Sequence, residues 1–530
     1  MQNRHFCIQV SQFTVTCMQN GHFCIQVSQF TAACMQNGAF CIHAATISEE
    51  SSKKTERDRG LSPKNGYLRA LFENSNTEHI FIHKQMSKNI VLKKGLDIPV
   101  SGAAALRLSK TVSPDVVAVE PTAFKGFTPR LLVKEGDRVL AGSPVMSDKK
   151  NADILLVSPV SGTVKEIVRG DKRKLLAVTI DADLVQEYQK SEPKCSDAAE
   201  VKETLLKSGL WPFIVQRPYG IVADPAATPK AVFVSAFSTA PLAADTEFTL
   251  GGRVADIQTA VNAISKIAKV YLGVNSTTSA FAKIENAEVN VFSGKHPAGN
   301  VGVQIDAISP ILKGDTVWTI SLAGLAAIGK FLSKGIYDVR RKVAVTGPAA
   351  IEPAYVETLP GAPMCTLAGF YGGSAEGIRI VSGDILTGKS VGETGYLGFF
   401  HDTVTIIKEG TEKEWFGWAL PIRYKQFSTD HSYFSWLTPW RKYDMDTNLH
   451  GGPRAFVMND NYYSKVLPMG IFPLYLIKAC IAGDIDKMEQ FGIYQVLPED
   501  FALCEYIDPS KNYIQEIIAQ GIDLMLKEMA

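Results

Sequence analysis

The sequence lacks the features that mark several common classes of protein. Lys and Arg number 55 against 54 Asp and Glu, and the net charge is +1, so the basic excess of a nucleic-acid-binding protein is missing. The nine cysteines include no CxxC pair, so neither an iron–sulfur cluster nor a structural zinc site is indicated. We therefore expect no nucleic-acid partner and no metal bound by cysteine.

Long apolar runs are also missing. The best candidate for a membrane span, residues 466–482, contains Pro468, Pro473 and Lys478. It has about 17 residues, the lower limit for crossing a bilayer. We expect a buried helix there instead.

The first 85 residues differ from the rest. Three near-identical copies of one segment begin at Met1, Met18 and Met35, and they match at surface and core positions alike. Solenoid repeats keep their core positions and vary at the surface, so this repeat looks like duplicated DNA. A signal peptide is not indicated, because no continuous apolar stretch is present. We expect residues 1–85 to be a repetitive leader that is disordered or not native, with Met86 as the biological start.

The cysteines and histidines outside the leader are scattered. The cysteines are Cys195, Cys365, Cys480 and Cys504. The histidines are His296, His401, His431 and His450. Widely separated single cysteines suit a reducing cytoplasm, and the histidines have no paired metal spacing.

Residues 86–190 predict a flattened β-sandwich. Apolar/polar alternation runs into Gly136-Asp137 and again through Ser161-Gly162, which is typical of small hairpins. Biotinyl and lipoyl carrier domains share this pattern and present one modifiable lysine at a hairpin tip. Here the lysine is doubled as Lys149 and Lys150, the spacer is longer than in carriers, and no Met-Lys-Met occurs. We therefore favour a non-carrier sandwich.

Residues 191–342 alternate strand and helix patterns. Apolar residues at steps of three and four predict a helix over 253–268, between strands at 231–237 and 270–274. Such alternation predicts a Rossmann-like, doubly wound parallel sheet. The first strand runs into 238–241 without a G-x-G-x-x-G loop, so we expect no direct NAD or flavin site.

The rest of the chain is predicted more coarsely. The α/β pattern continues with a short helix at 279–286, a strand at 288–292, a helix over 317–332 and a strand at 341–347. Residues 343–410 are glycine-rich and β-like, and residues 411–530 combine an aromatic-rich segment with helices.

Taken in order, these segments resemble the A subunits of bacterial Na⁺-translocating NADH:quinone oxidoreductases. The similarity extends through most of residues 86–530. It is found in IVLKKGLDIPVSG (90–102), KEGDRVLAGSPV, SPVSGTVKEIVRG, QRPYG (216–220), FSGKHPAGNVG (292–302), HGGPRAFV (450–457), VLPMGIFP (466–473) and ALCEYIDPSKN (502–512). Each segment is weak alone, but the ordered set is specific.

The resemblance implies a multidomain α/β fold. Its domains would be a barrel-sandwich hybrid over 86–190, a Rossmann-like domain over 191–342, a β-grasp (SLBB-like) domain over 343–410, and an aromatic-rich and helical C-terminal domain over 411–530. It also implies a peripheral subunit on the cytoplasmic side of the cell inner membrane. The partners would be integral-membrane and flavin/iron–sulfur subunits of a six-subunit Na⁺-pumping complex.

The same resemblance implies the chemistry. The complex would pass electrons from NADH to ubiquinone or menaquinone and export Na⁺, and this subunit would bind quinone. NAD(H), flavins and Fe–S clusters would belong to partner subunits, with no covalent cofactor or cluster here. Two alternatives stay open: an Rnf-type C-like subunit, whose relatives are cysteine-rich whereas only Cys504 is found in the matching segment, and a non-catalytic scaffold.

Candidate quinone-binding residues lie in two loops and one histidine motif. A quinone site needs an apolar slot with donors or a cation for the carbonyl oxygens, and segments that the family associates with quinone fit this. The candidates are Phe124, Gly126 and Phe127, then Trp211, Phe213, Arg217 and Tyr219, and finally His296 as a proton relay. Alternatively, the aromatic residues wedge domains together and Arg217 pairs with Asp224.

Two other motifs have plainer interpretations. His431 and His450 lie near Trp436 and Trp440, which we interpret as a core or interface aromatic cluster. The charged run 171–174 is interpreted as a solvated turn that could also contact anionic lipid or a partner.

Overall fold

The structure is a computed structural model with two compact units, Met1–Lys84 and Gln85–Ala530. It describes strands within residues 6–42 and then residues 88–411, 423–429, 431, 433–448 and 459–529. His450 and the 450–457 segment, both considered above, lie outside the described residues.

The first unit contains a five-stranded antiparallel sheet in which each strand pairs with the next strand along the chain. Its strands are β1 (Phe6–Val10), β2 (Phe13–Gln19), β3 (His22–Val27), β4 (Thr31–Gln36) and β5 (Ala39–Ile42). The start at Met86 stays a prediction.

The second unit opens with two strands that join later sheets. They are β6 (Asn89–Val91) and β7 (Ala105–Thr111). A sandwich of two sheets follows, made of β8 (Val116–Val119), β9 (Pro129–Leu131), β10 (Arg138–Val139), β11 (Pro144–Asp148), β12 (Leu155–Val157), β13 (Gly162–Arg169) and β14 (Leu175–Ala182). The sheet orders are β10-β13-β14-β8 and β12-β11-β9.

The sandwich forms because alternate residues of its strands face inward. Val164, Val178 and Ile180 are buried, whereas Thr163 and Lys165, the neighbours of Val164, are exposed. β11 and β12 form an antiparallel hairpin, and its exposed turn holds the lysine pair considered above. A lysine-bearing hairpin tip is therefore present. The hairpins predicted at Gly136-Asp137 and Ser161-Gly162 were wrong, because β9 and β10 lie in different sheets, as do β12 and β13.

A seven-stranded sheet forms the next domain, in the order β16-β15-β20-β17-β18-β19-β6. Its strands are β15 (Ile214–Arg217), β16 (Ile221–Val222), β17 (Val232–Ser235), β18 (Val270–Val274), β19 (Glu288–Ser293) and β20 (Val317–Ile320). Its helices are α1 (Ala198–Lys207), α2 (Thr246–Leu250), α3 (Val254–Ile264), α4 (Val301–Ile308) and α5 (Leu322–Lys334).

The strand order of this sheet creates a switch point. β17 pairs in parallel with β18 on one side and with β20 on the other, so the chain leaves β17 and β20 at the same edge of the sheet. In open α/β sheets the crevice beyond the carboxyl ends of two such strands is the usual ligand site. The predicted alternation of strands and helices is confirmed, and β15 and β16 add an antiparallel pair beyond β20.

The helix predicted over 317–332 was wrong in its first turn. Residues 317–320 form β20, and the helix begins only after Ser321, whose hydroxyl accepts a hydrogen bond from the Gly324 amide at 3.1 Å. β20 is buried along its whole length, so its apolar run has no alternation to distinguish it from a buried helix. The Ser321 N-cap was the available signal.

The remaining elements form a mixed sheet and a helical C-terminal part. The six-stranded sheet has the order β24-β23-β25-β21-β22-β7 and contains β21 (Arg341–Thr346), β22 (Ala354–Thr358), β23 (Ile378–Ser382), β24 (Lys389–Ser390) and β25 (Thr403–Lys408). The helices are α6 (Asp460–Val466), α7 (Pro473–Ala482), α8 (Ile485–Phe491), α9 (Ala502–Ile507) and α10 (Ile514–Met529). None of the helices among the described residues is long and apolar enough to cross a membrane.

Candidate functional site

A cavity of about 510 Å³ lies at the switch point, beyond the carboxyl ends of β17 and β20. Four of the predicted residues line it: Phe124, Phe213, Arg217 and His296. A second cavity of about 460 Å³ adjoins it, and Asp384 and Phe400 line both. Volumes of this size suit a small organic ligand.

Four phenylalanines from three domains form an aromatic wall. Phe124 comes from the sandwich and Phe213 from the Rossmann-like domain, and their ring centroids are each 4.7 Å from that of Phe399. Phe400 completes the group, with its centroid 5.0 Å from Phe399 and 5.6 Å from Phe124. The contacts are tilted or edge-on, as aromatic quadrupoles favour. Phe124, Phe213 and Phe400 line the cavity and offer a planar ligand an apolar surface, and Phe399 packs against all three rings.

His296 faces the cavity from a loop that follows β19. Its main-chain N–H donates to Asp97 at 2.9 Å, and its Nδ1 lies 3.1 Å from the Thr239 hydroxyl oxygen. That oxygen accepts the Gly299 amide at 3.0 Å, so the hydroxyl proton is available for Nδ1. Burial lowers the pKa of His296, although Asp384 and other acids oppose this. The lowered pKa favours the neutral imidazole, and a Thr239 hydroxyl that donates to Nδ1 puts the ring proton on Nε2.

His401, which was not predicted as a site residue, repeats this arrangement in the adjoining cavity. Its Nδ1 lies 2.9 Å from the Ser382 hydroxyl, which accepts the Gly398 amide at 2.9 Å. Burial lowers the pKa of His401 to about 4, and Arg341 adds to this effect. Both imidazoles therefore favour the neutral form, each has its Nδ1 against a hydroxyl, and the carboxylate of Asp384 acts electrostatically on both.

Arg217 is buried and joins the Rossmann-like sheet to the C-terminal part. Its two terminal nitrogens donate to Asp500 at 3.1 Å and to Glu499 at 2.5 Å. Its side chain and that of Asp500 are essentially inaccessible, whereas Glu499 is 45 % exposed at the cavity wall. The alternative partner, Asp224, accepts instead from the Ala226 amide at 3.0 Å. Arg217 is thus an ion-pair anchor at the edge of the cavity.

The packing around this ion pair is close. A Cβ on Gly302 of α4 would lie 2.5 Å from a guanidinium nitrogen of Arg217 and 2.6 Å from the Asp500 carboxylate oxygens. Only glycine lets α4 approach the pair so closely. Desolvation of the Glu499 carboxylate at the cavity wall raises its pKa, and the positive charge of Arg217 opposes that rise.

Four predicted residues do not line the cavity. Trp211 is fully buried, donates its indole N–H to the Ala223 carbonyl at 2.7 Å and packs edge-on against Trp318. Phe127 supports Phe124 from behind, at 6.5 Å between centroids. Tyr219 packs against Tyr494 of the C-terminal part. Tyr219 therefore fits the wedge interpretation, whereas these partners of Trp211 lie within its own domain.

Gly126, the fourth of these, has a structural role in the loop that carries Phe124. Its φ is +85°, and an added Cβ would lie 3.0 Å from the Cβ of Ile221. The neighbouring Lys125 carbonyl accepts the Val222 amide at 2.9 Å, so the loop is attached to strand β16. Gly126 allows this close approach, while Phe124 reaches the cavity.

Phe399, Phe400 and His401 are the residues that the sequence interpretation missed. They are consecutive in YLGFFHD, directly before β25, in a segment interpreted only as β-like. The one available signal was two aromatics followed by a histidine, next to glycine.

We predict a specific acid sensitivity from His401. Its pKa lies below that of an unfolded histidine, so the unfolded chain binds more protons between about pH 6.5 and 4, and the free energy of unfolding falls as the pH falls through that window. The fall should be on the order of 2–3 kcal/mol. Urea unfolding at pH 7.0 and 4.5 checks this, and His401→Gln should reduce the difference by on the order of 2–3 kcal/mol. His431→Gln, in an exposed position, is the control.

With the geometry described, the chain can be compared with known proteins. It matches three domain families: "NqrA N-terminal barrel-sandwich hybrid domain" over residues 90–183, "NqrA second alpha/beta domain" over 196–337, and "NQRA C-terminal domain" over 342–393. These matches define its class, a multidomain α/β protein that begins with a barrel-sandwich hybrid domain.

Relatives give the particular family. Each is named as the A subunit of the Na(+)-translocating NADH-quinone reductase. The protein of Shewanella frigidimarina is 33 % identical over 445 residues, which are 83 % of this chain and 100 % of that protein. The protein of Tolumonas auensis is 35 % identical over 80 % of this chain and 96 % of its own. The chain belongs to the family of Na⁺-translocating NADH-quinone reductase A subunits, which confirms the resemblance.

A solved structure is also similar, though only weakly. The NAD⁺-reducing [NiFe]-hydrogenase in its H₂-reduced state covers 63 % of this chain, with 61 % of its own, at 10 % identity and a TM-score of 0.31. A likeness of this size supports no conclusion about fold or function.

Proposed function

We propose that this chain is the quinone-binding A subunit of a Na⁺-translocating NADH:quinone reductase and that quinone binds in the cavity at the switch point. The observation that supports this best is that three aromatic rings, Phe124, Phe213 and Phe400, line the same cavity of about 510 Å³ as the imidazole of His296, whose pKa is lowered by burial. A quinone ring stacks on aromatic faces, and its carbonyl oxygens accept hydrogen bonds.

The two histidines suit the protons of the reaction. A quinone that gains two electrons and two protons becomes a hydroquinone, so a site for this reaction benefits from donors at the carbonyl oxygens. His296 lines this cavity and His401 lines the adjoining one, and neither Nε2 has a protein partner among the described residues. The electrons would come from redox groups of partner subunits. Each histidine that carries its proton on Nε2 would donate a hydrogen bond to a quinone oxygen, and the two protons that the reduced quinone takes up would come from solvent.

Titration with a soluble quinone distinguishes quinone binding from a scaffold role. Titration of the full-length chain with a short-chain ubiquinone, followed by calorimetry, should give saturable binding near one equivalent. Phe400→Ala should weaken that binding about tenfold, because the ring loses one face of its slot. Phe472→Ala, in an exposed aromatic directly before α7 that lines neither cavity, should leave it unchanged. Absence of saturable binding by the unaltered chain would favour the scaffold.

A carrier role makes a different prediction. Lys149 and Lys150 are exposed in the β11–β12 turn, where a carrier would present its modified lysine. We expect neither lysine to be modified, because the turn lacks the flanking methionines. Intact-mass spectrometry of the chain from its native cells should therefore show no biotinyl or lipoyl increment; an increment on either lysine would support the carrier.

The proposed location and partners follow from the family. The chain would be peripheral, on the cytoplasmic side of the inner membrane, and held by integral-membrane and flavin/iron–sulfur subunits. Purification of the tagged chain from native membranes should recover these subunits together with NADH:quinone activity. Recovery of the chain alone after mild detergent extraction would contradict this assembly.

A further inference from the structure

A compact turn over residues 433–442, here named the aromatic turn, exposes large apolar side chains. Phe434 and Trp436 are each 49 % exposed, Leu437 is 55 % exposed and Trp440 is 79 % exposed. Aromatic side chains of this size are usually buried. The sequence indicated a core or interface cluster here, and the exposure of these four residues rules out the core.

The turn is built to hold these side chains outward. Phe434–Leu437 form a 3-10 turn in which Ser435 points inward, and its carbonyl accepts hydrogen bonds from the Tyr443 hydroxyl at 3.2 Å and from the Thr438 hydroxyl at 3.0 Å. The Arg441 guanidinium lies over the ring of Tyr443 at 5.9 Å, and Tyr443 is buried. The exposed residues therefore belong to an anchored element.

Positive charge surrounds this apolar surface. Residues 423–443 contain one acidic residue, Asp430, and four basic residues: Arg423, Lys425, Arg441 and Lys442. That excess of three is local to residues 423–443, because Asp444 and Asp446 follow them. Asp444 accepts a hydrogen bond from the Ser101 hydroxyl. The aromatic turn thus combines apolar tips with basic flanks.

A second exposed apolar surface lacks this basic excess. Phe472, directly before α7, and Tyr475 of α7 are 57 % and 54 % exposed, and both rings contact Phe491. Residues 472–491 contain three acidic residues and two basic ones, Lys478 and Lys487, a local charge of −1. Exposed aromatic area alone therefore does not distinguish the two surfaces, but the local charge does.

We propose that the aromatic turn is a membrane-contact surface that inserts into the headgroup layer of anionic lipid. Tryptophan and other aromatic side chains favour that layer, where an apolar body meets water, and Lys and Arg are attracted by anionic headgroups. The α7 surface lacks the basic excess for the same contact. Lipid contact here does not depend on quinone binding, because the turn contributes no residue to either cavity.

Vesicle binding by the full-length chain tests this membrane contact. Vesicles of phosphatidylglycerol and phosphatidylethanolamine should co-sediment with the chain, and neutral phosphatidylcholine vesicles should bind it far less. Trp436→Ser/Trp440→Ser should weaken binding at least about tenfold through lost apolar insertion. Lys425→Gln/Lys442→Gln should weaken it on the order of 25-fold, at about fivefold for each charge near the surface. Brominated lipid should quench tryptophan fluorescence in the unaltered chain.

Two matched controls distinguish this mechanism from non-specific adsorption to vesicles. Phe472→Ser/Tyr475→Ser removes two aromatics of similar exposure from a surface without basic excess, and Lys172→Gln/Lys174→Gln removes two exposed basic residues from a turn without aromatics. Both controls should bind vesicles like the unaltered chain. Failure of the unaltered chain to bind anionic vesicles would overturn the proposal. Normal vesicle binding by the tryptophan variant, together with loss of its association with membrane subunits, would show a protein contact instead and would also overturn it.

Discussion

Arg217→Met should destabilise the folded chain by about 3–5 kcal/mol. The guanidinium is 1 % exposed and is the cation that faces the buried carboxylate of Asp500. Removal of the arginine leaves that carboxylate desolvated and without a counter-ion, which costs far more than the intact pair contributes. Urea unfolding monitored by circular dichroism measures the change.

Two companion variants make this result specific. Arg138→Met breaks an ion pair of similar length, 2.7 Å to Asp183, but Arg138 is 53 % exposed and solvent screens the pair, so the loss should be far smaller than that of Arg217→Met. Arg217→Met/Asp500→Asn removes both buried charges and should recover a large part of the lost stability. An Arg217→Met loss no larger than that of Arg138→Met would refute the anchoring role.

Ser238→Trp should raise the dissociation constant for quinone by about two orders of magnitude, because a bulky indole occupies the space that a ligand needs. Ser238 lines both cavities, so the new side chain enters open volume instead of packed core. Stability should change little for the same reason. Calorimetric titration with short-chain ubiquinone measures the binding.

The matched control is Ser333→Trp. Ser333 is an exposed serine near the end of α5, and its hydroxyl donates to the Lys330 carbonyl at 3.1 Å, away from both cavities. This variant should bind quinone with the unaltered constant. If Ser238→Trp bound quinone as tightly as Ser333→Trp does, the ligand would have to lie elsewhere.

The α/β domain could be predicted from sequence because its periodicity is local. The strand at 270–274 matched the structure throughout, and the helix predicted over 253–268 was confirmed with four residues fewer at its end. The start of the helix predicted over 317–332 was wrong because a central parallel strand is apolar on both faces and resembles a buried helix in sequence. Local patterns therefore identify elements but not the ends of buried ones.

The site was predicted only in part because its other half comes from distant segments. Phe124 and Phe213 stood out as aromatics beside glycine and proline, and both reach the cavity. Their partners Phe399 and Phe400 lie nearly 200 residues beyond Phe213 in sequence, and Asp500 lies 283 residues from Arg217. No spacing rule connects such residues; only the folded chain places them together.

Photolabelling of the assembled complex tests the central claim most directly. An azido-quinone, activated by light on complex purified from native membranes, should label peptides that line the cavity, namely residues 235–240, 384–387 and 400–402. Excess unlabelled ubiquinone should suppress the labelling, and Ser238→Trp should abolish it. Competed labelling confined to partner subunits, or to parts of this chain outside the cavity, would contradict the proposal that this chain holds quinone at its switch point.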